Sequence, residues 1–249
     1  MDYMKFKYTG KAPLKIALLG DIHWGSNFCD KELLEKAITK LKKEKNTKII
    51  LMGDLIENAS AASVGSGVYQ QDESPNDQVW SIAKKLKPLA KNILYSHQGN
   101  HEERSFRFTG FNIGEAISNY IGVPYFKNMA IIDVEVGKIT YRIYTWHGKS
   151  SSQTTAGRIK ILQRQAETFS ADCYCMAHVH ELFSTTMPHR EINKGEFNDI
   201  FKQYVLTGSF LKWDDSYAEQ CGYRMVKGGM PVLTLNNKKK EIKVDLEYV

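Results

Sequence analysis

Short apolar runs punctuate this chain, and five of them lead into a residue able to bind a metal or carry a proton. Leu14 to Leu19 runs into Gly20-Asp21-Ile22-His23, and Lys48 to Met52 into Gly53-Asp54. Asn92 to Ser96 precedes Gly99-Asn100-His101-Glu102, Lys138 to Trp146 meets His147-Gly148, and Cys173 to Ala177 meets His178-Val179-His180. Runs this short, bounded by Gly or Pro, predict buried strands. Between them lie helical patterns. Asp30 reads as the N-cap of a helix from about Lys31 to Lys45, with Leu34, Ala37, Ile38 and Leu41 on one face. Further helices are predicted from about Gln78 to Leu86, around Ile113 to Ile121, and from about Ala156 to Phe169. Strand, helix, strand is the unit of a parallel sheet.

Elsewhere the period is two. Met129 to Val136 and Lys138 to Trp146 flank Gly137 as a β-hairpin, and a terminal hairpin turns at Asn236-Asn237. Residues 59–77 form a long loop. Its Gly65-Ser66-Gly67 lacks the strand-to-helix setting of a phosphate cradle. Met187 to Asn198 and Trp213 to Gly229 read as irregular, separated by a strand at Gln203 to Leu206. With no linker or repeat in view, residues 1–249 are expected to form a single domain.

Composition narrows the class. The 249 residues carry 42% hydrophobic and 25% charged side chains, ordinary for a globular protein. The net charge of +6 is compatible with a phosphate-rich substrate without specifying one. Four cysteines in a chain this long make no disulfide framework, and Cys173 and Cys175 read as buried thiols on one side of a strand. Residues 1–15 hold no signal-peptide core, no run reaches membrane-spanning length, and no basic amphipathic helix invites a bilayer. A cytoplasmic, reduced setting is expected.

The strand ends gather Asp21, His23, Asp54, Asn100, His147, His178 and His180, with His101 beside them. A lone His is usually structural, but five of the chain's seven stand at these ends beside Asp or Asn; His97 and His189 do not. In extended chain, residues two apart share a face, so Asp21 with His23, and His178 with His180, are each expected to reach one ion. Hard oxygens mixed with imidazoles suit Mn²⁺, Fe or Zn²⁺, with Ni²⁺ also admissible, and Mn²⁺ is the first expectation. Seven ligands suit two divalent ions sharing a bridging carboxylate. Two ions roughly 3.5–4 Å apart can clamp the attacking and leaving oxygens of a phosphoryl transfer, with a hydroxide between them as nucleophile. His101 could then protonate the leaving alcohol.

The ordered set Gly-Asp-x-His, Gly-Asp-x-x-Glu-Asn, Gly-Asn-His-Glu, His-Gly and x-His-x-His, spanning residues 20–180, resembles the calcineurin-like metallophosphoesterase superfamily. The resemblance implies an α/β fold, a four-layer αββα sandwich with two facing mixed β-sheets and a two-metal site at one edge. It also implies that Asp21, His23 and His180 hold one metal and Asn100, His147 and His178 the other, with Asp54 bridging and His101 as proton donor. Two departures stand out: Ala177 replaces the usual Gly, and Glu57-Asn58-Ala59 replaces the Asp-Arg-Gly of the protein-phosphatase branch. The loss of that Arg argues against a phosphoprotein phosphatase. The His-x-His ending is more like the phosphodiesterase and nuclease branches, of which phage-type and DNA-repair phosphoesterases are examples.

A phosphodiesterase acting on a nucleotide or nucleic acid such as DNA is therefore expected. A phosphomonoesterase is the alternative, and a non-catalytic scaffold the third reading. Arg104, Lys149 and Arg158 are the first candidates for substrate phosphate, followed by Arg107, Lys212 and Arg224. The two irregular late stretches are expected to set the substrate.

Overall fold

The computed structural model describes residues 1–61, 63, 67–193 and 195–247. In chain order the elements are β1 (Asp2–Tyr8), β2 (Leu14–Leu19), α1 (Lys31–Lys43), β3 (Thr47–Leu51), α2 (Pro75–Leu86) and β4 (Ile93–His97). Next come α3 (Asn100–Thr109), α4 (Ile113–Ile121), β5 (Tyr125–Phe126), β6 (Ala130–Val136), β7 (Ile139–Trp146) and α5 (Thr155–Thr168). The last are β8 (Cys173–Met176), β9 (Leu182–Asn193), β10 (Glu196–Thr207), α6 (Tyr217–Gln220), β11 (Val232–Leu235) and β12 (Ile242–Asp245).

Among the described residues the strands form two six-stranded sheets, ordered β1-β6-β7-β8-β10-β9 and β12-β11-β2-β3-β4-β5. Both are mixed. β2, β3, β4 and β5 run parallel while β11 pairs antiparallel with β2. β7, β8 and β10 are parallel, β6 is antiparallel to β7 but parallel to β1, and β9 is antiparallel to β10. One face of the second sheet, with Leu19, Ile49 and Leu51, packs on α1, α2 and α4 through Leu34, Ile82 and Ile117. The facing sides of the two sheets close over Ile16, Leu18, Ile50, Ile132, Ile143 and Val205. The outer face of the first sheet, with Tyr144, Tyr174 and Tyr204, lies under Ile159 and Leu162 of α5. Helix, sheet, sheet, helix is the four-layer order expected from the sequence. Cys173 and Cys175 lie side by side in the central layer, Sγ to Sγ 3.5 Å, as free thiols.

Three segments depart from the sequence reading. The alternation of Met4, Phe6 and Tyr8 with Lys5 and Lys7 forms β1, parallel to β6, which went unread because it opens on polar residues. Met187 to Asn198, expected to be irregular, belongs to the β9–β10 hairpin, paired from Leu182↔Thr207 to Asn193↔Glu196. Pro188 and the charges there obscured its period, and His189 sits on this arm and not in a loop. The Gly99-led turn is the start of α3, which ends at Gly110 in the left-handed region (φ 72°). Gly65 and Ser66 lie outside the described residues.

Candidate metal centre and its cleft

The carboxyl ends of β2, β3 and β4 in one sheet and of β7 and β8 in the other open onto a common edge. The loops leaving them are held by unusual backbone. Asp21, His23, Asp54, Asn58, His178 and His180 all have φ between 45° and 70°, and among the described non-glycine residues only Asp215 shares that region. Such conformations cost roughly 1–3 kcal/mol each and persist where the surroundings over-determine them, typically at functional sites. The expected reason for the paired ligands is thus corrected. Asp21 with His23, and His178 with His180, converge through left-handed turns and not through the alternation of an extended strand. Backbone bonds fix the first turn, with Asp21 N–H donating to Gly53 O (3.0 Å) and His23 N–H to Asp54 O (3.0 Å).

All seven expected ligands meet in one cluster. Three groups place their ligand atoms within 4.8 Å of one another: Asp21, His23 and His180; His23, Asp54 and His101; and Asp54, His147 and His178. Asp54 lies at the centre. Its Oδ1 accepts from the His101 N–H at 2.8 Å, while its Oδ2 lies 3.3 Å from His147 Nε2 and 4.0 Å from His23 Nε2. Asn100 Oδ1 is 3.0 Å from His147 Nε2 and 2.7 Å from His178 Nδ1.

Tracing the protons tests this set for a cation. His147 Nδ1 donates to Met52 O at 2.8 Å and His23 Nδ1 to Glu57 Oε2 at 3.1 Å, which turns both Nε2 lone pairs inward. There the His147 lone pair faces the acceptors Asp54 Oδ2 and Asn100 Oδ1, and His23 Nε2 lies 3.1 Å from His180 Nε2. Acceptors aimed at one another need a positive charge between them. The donor set of carboxylates, an amide oxygen and imidazoles fits a divalent ion. The titration directions agree. Burial disfavours charge on His147, yet Asp54 pushes it up to about 10. Burial likewise opposes ionised Asp54, but His147, His101 and His23 hold that carboxyl well below the usual range.

Two buried carboxylates brace the cluster, and the sequence reading gave neither a role. Glu57 orients His23, in the arrangement by which a carboxylate fixes a ligating imidazole. Glu102 accepts from the N–H groups of Asp54 (3.0 Å), Leu55 (2.6 Å), Ile56 (3.3 Å) and Gly99 (2.8 Å), locking the β3 loop onto the start of α3. Asn58 joins the same brace by donating to His101 O at 2.7 Å. His101 itself donates from Nδ1 to Glu57 O at 2.6 Å, and its Nε2 accepts from Arg104 Nη2 at 3.0 Å. Burial, His23 and Arg104 bring its pKa down to about 4 against the pull of Asp54. His97 stays apart, bonded to Thr145 Oγ1 (2.8 Å) in the central layer, where burial lowers it to about 4.

The cluster floors a cleft of ≈ 450 Å³. Of the candidate cations, Arg104, Arg158, Lys212 and Arg224 line it; Lys149 and Arg107 do not, and Arg107 pairs with Glu103 on the surface of α3. Arg158 Nη1 lies 2.8 Å from Glu181 Oε2, and Arg224 pairs with the same buried carboxylate. Trp24 faces the helical layer and donates to Glu73 (3.2 Å).

The family model for calcineurin-like phosphoesterase matches residues 14–217, which takes in every element that reaches the cluster. Among solved structures, the Vps29 of Entamoeba histolytica, crystallised with zinc, is 13% identical, covering 93% of this chain and 97% of its own at a TM-score of 0.43. A metallophosphoesterase from Sphaerobacter thermophilus is 11% identical (93% and 87% covered, TM-score 0.46). A conserved protein of Streptococcus pneumoniae, described as a phosphoesterase on prediction, is 14% identical (95% and 90%, TM-score 0.41). No curated protein matches. Among the described residues no helix is long and apolar enough to cross a membrane.

Proposed function

The chain belongs to the calcineurin-like phosphoesterase family, and on that premise we propose that it is a metal-dependent phosphodiesterase acting on a nucleotide or nucleic-acid phosphodiester. Asp21, His23 and His180 would hold one divalent ion and Asn100, His147 and His178 a second, with Asp54 between them. Mn²⁺ is the first ion to test, with Fe, Zn²⁺ and Ni²⁺ also admitted by a set of oxygens and imidazoles. Such ions supply a Lewis acid for phosphoryl oxygens and lower the pKa of water.

The protein's own groups do the rest. With Nδ1–H committed to Glu57 O, His101 presents Nε2 as the one atom at which it can hold a proton for a leaving alcohol. Arg104, beside that nitrogen, brings positive charge to where a phosphoryl oxygen would sit. The observation that carries the diester reading is the charge balance of the cleft. Arg158 and Arg224 are both answered by Glu181, and Arg104 Nη1 lies 3.6 Å from Glu57 Oε1. Leaving aside Lys212 and the ions themselves, each arginine of the cleft is thus paired with a carboxylate, which supports a singly charged diester over a dianionic monoester.

The test compares turnover of an activated phosphodiester and its matching monoester by Mn²⁺-reconstituted protein, with His101→Ala alongside. Strong preference for the diester and a drop of about 10²-fold or more in the variant are expected. Turnover of the monoester alone would replace this reading with a phosphatase. No turnover of either, with metal bound, would favour a scaffold.

A further inference from the structure

The segment after β10 contributes a surface to the cleft that the phosphoester chemistry does not use. Trp213, Tyr217 and Tyr223 line the cleft together with Phe28, in the same cavity as Asn100, His101 and His178. The segment is braced. Trp213 Nε1–H donates to Tyr223 O at 2.8 Å, the Tyr223 N–H donates to Ala218 O at 2.8 Å, and Tyr217 and Tyr223 meet edge to face at 5.9 Å. It is also tied to the metal-ligand loops, with the Phe210 N–H on Asp21 O (2.9 Å) and the Lys212 N–H on Phe28 O (2.8 Å). Its rings are therefore set at a fixed place relative to the cluster. Tyr223 remains 39% exposed, so ring surface is available.

Resting on the phosphodiesterase reading, we propose that this wall is a subsite for one unpaired nucleobase of the substrate, with Lys212 flanking it for the neighbouring phosphate. Aromatic faces with cations beside them are what a flat base on an anionic backbone requires, and such stacking tolerates any base. A substrate held by its phosphate over the cluster places its next group in the same cleft. The size of the cleft is in keeping with this reading. At ≈ 450 Å³ it matches a nucleotide-sized ligand. A base can reach this wall only when it is unpaired and unstacked, which a duplex resists at a cost of a few kcal/mol. The substrate is then a nucleotide diester or the end of a single strand.

Two measurements test this separately from the chemistry. Binding is read by calorimetry in EDTA, without turnover, using a thymidine tetranucleotide, thymidine 5′-methyl phosphate and a blunt-ended DNA hairpin. The tetranucleotide is expected to bind at least tenfold more tightly than the hairpin, and Tyr217→Ala and Tyr223→Ala to weaken it about tenfold while Tyr→Phe at either position restores it. Equal binding by the methyl ester would identify a free nucleotide diester as the occupant, tighter binding by the tetranucleotide a strand end. In turnover, selectivity for thymidine 5′-p-nitrophenyl phosphate over methyl p-nitrophenyl phosphate is expected to fall about tenfold in the Ala variants. Wild-type affinity in both Ala variants, or a hairpin that binds as well as the single strand, overturns the subsite. Base-dependent binding without cleavage of either ester would sink the phosphodiesterase reading and leave the subsite standing.

Discussion

Glu102 gathers the N–H groups of Asp54, Leu55, Ile56 and Gly99 onto one carboxylate with almost no solvent exposure. Removing an acceptor leaves buried donors unsatisfied, at about 1–3 kcal/mol for the group. Glu102→Ala should therefore lower stability by about 2–3 kcal/mol in urea denaturation, and an unchanged midpoint would deny Glu102 this bracing role. Glu57 acts on a ligand and not on the backbone. Glu57→Ala is expected to weaken Mn²⁺ binding about 10–100-fold in a metal titration, with Glu57→Gln closer to wild type because its amide oxygen can still accept from His23 Nδ1. Equal losses in both variants would mean that charge, and not orientation, is what Glu57 supplies. At this scale the sequence showed which residue types stand at strand ends, so Asp21, His23, Asp54, Asn100, His147, His178 and His180 were legible. It did not show direction. Nothing in Gly99-Asn100-His101-Glu102 says that the Glu turns back to cap four amides, or elsewhere that Arg158 lines the cleft and Lys149 does not.

Elements meet at this edge with no space to spare. A Cβ on Gly99 would lie 2.1 Å from Asp54 Oδ1 and 2.2 Å from Asp54 N, so α3 reaches the β3 loop only because that residue has no side chain. Gly99→Ala should cost about 1–3 kcal/mol by overpacking. It should also lower turnover by about 10²-fold through displacement of Asn100 and His101. A fully active variant would show that α3 can shift without consequence. Away from the site, β1, β6 and β7 are joined by Tyr3 OH donating to Asp133 Oδ2 (2.8 Å) and Arg142 Nε donating to Oδ1 (2.7 Å). The hydrogen bond from Arg142, aided by Tyr3 and opposed by burial, holds the Asp133 carboxyl below its ordinary value. A carboxylate depressed in the folded state stabilises it above the unfolded pKa and loses that stabilisation as pH falls through the folded value. Arg142 is half exposed, so the effect is screened. Asp133→Asn should thus be less stable than wild type by about 1 kcal/mol at pH 7, the difference closing from roughly pH 4 downward. A constant difference across that range would assign the loss to packing. The strands of this sheet illustrate what pattern reading misses. β6 and β7 alternate plainly, whereas β1 hides in a polar start and β9 behind Pro188, since an edge strand needs only one buried face and tolerates breaks.

Over the whole molecule, the site follows from topology. Parallel strands β2, β3 and β4 lie side by side in one sheet and β7 and β8 in the other, so five carboxyl ends arrive at one edge of the sandwich. Open α/β sheets bind ligands at that end of their strands. Five apolar runs, each followed by Asp, Asn or His, were thus enough to foresee the cluster, while the four layers were expected from the resemblance that their motifs carry. The late segment bearing Trp213, Tyr217 and Tyr223 was expected to set the substrate, but its place over the cleft was not legible, because it depends on bonds such as Phe210 N–H to Asp21 O. The same convergence has a thermodynamic consequence. Asp21, Asp54 and the inward-facing imidazoles confront one another in the folded chain alone, so a cation that joins them must stabilise folding. At a hundredfold excess over its Kd a ligand of the native state contributes about 2.7 kcal/mol. In a chain of this size each kcal/mol raises Tm by about 2–4 °C. Mn²⁺ should accordingly raise the thermal midpoint by about 5–10 °C over protein in EDTA, and Asp54→Asn should remove most of that shift because Asp54 takes part in two of the three ligand groups. A midpoint indifferent to Mn²⁺, Zn²⁺, Fe²⁺ and Ni²⁺ alike would mean that these side chains hold no divalent ion. They would then be reconciled by the proton that Asp54 retains on His147.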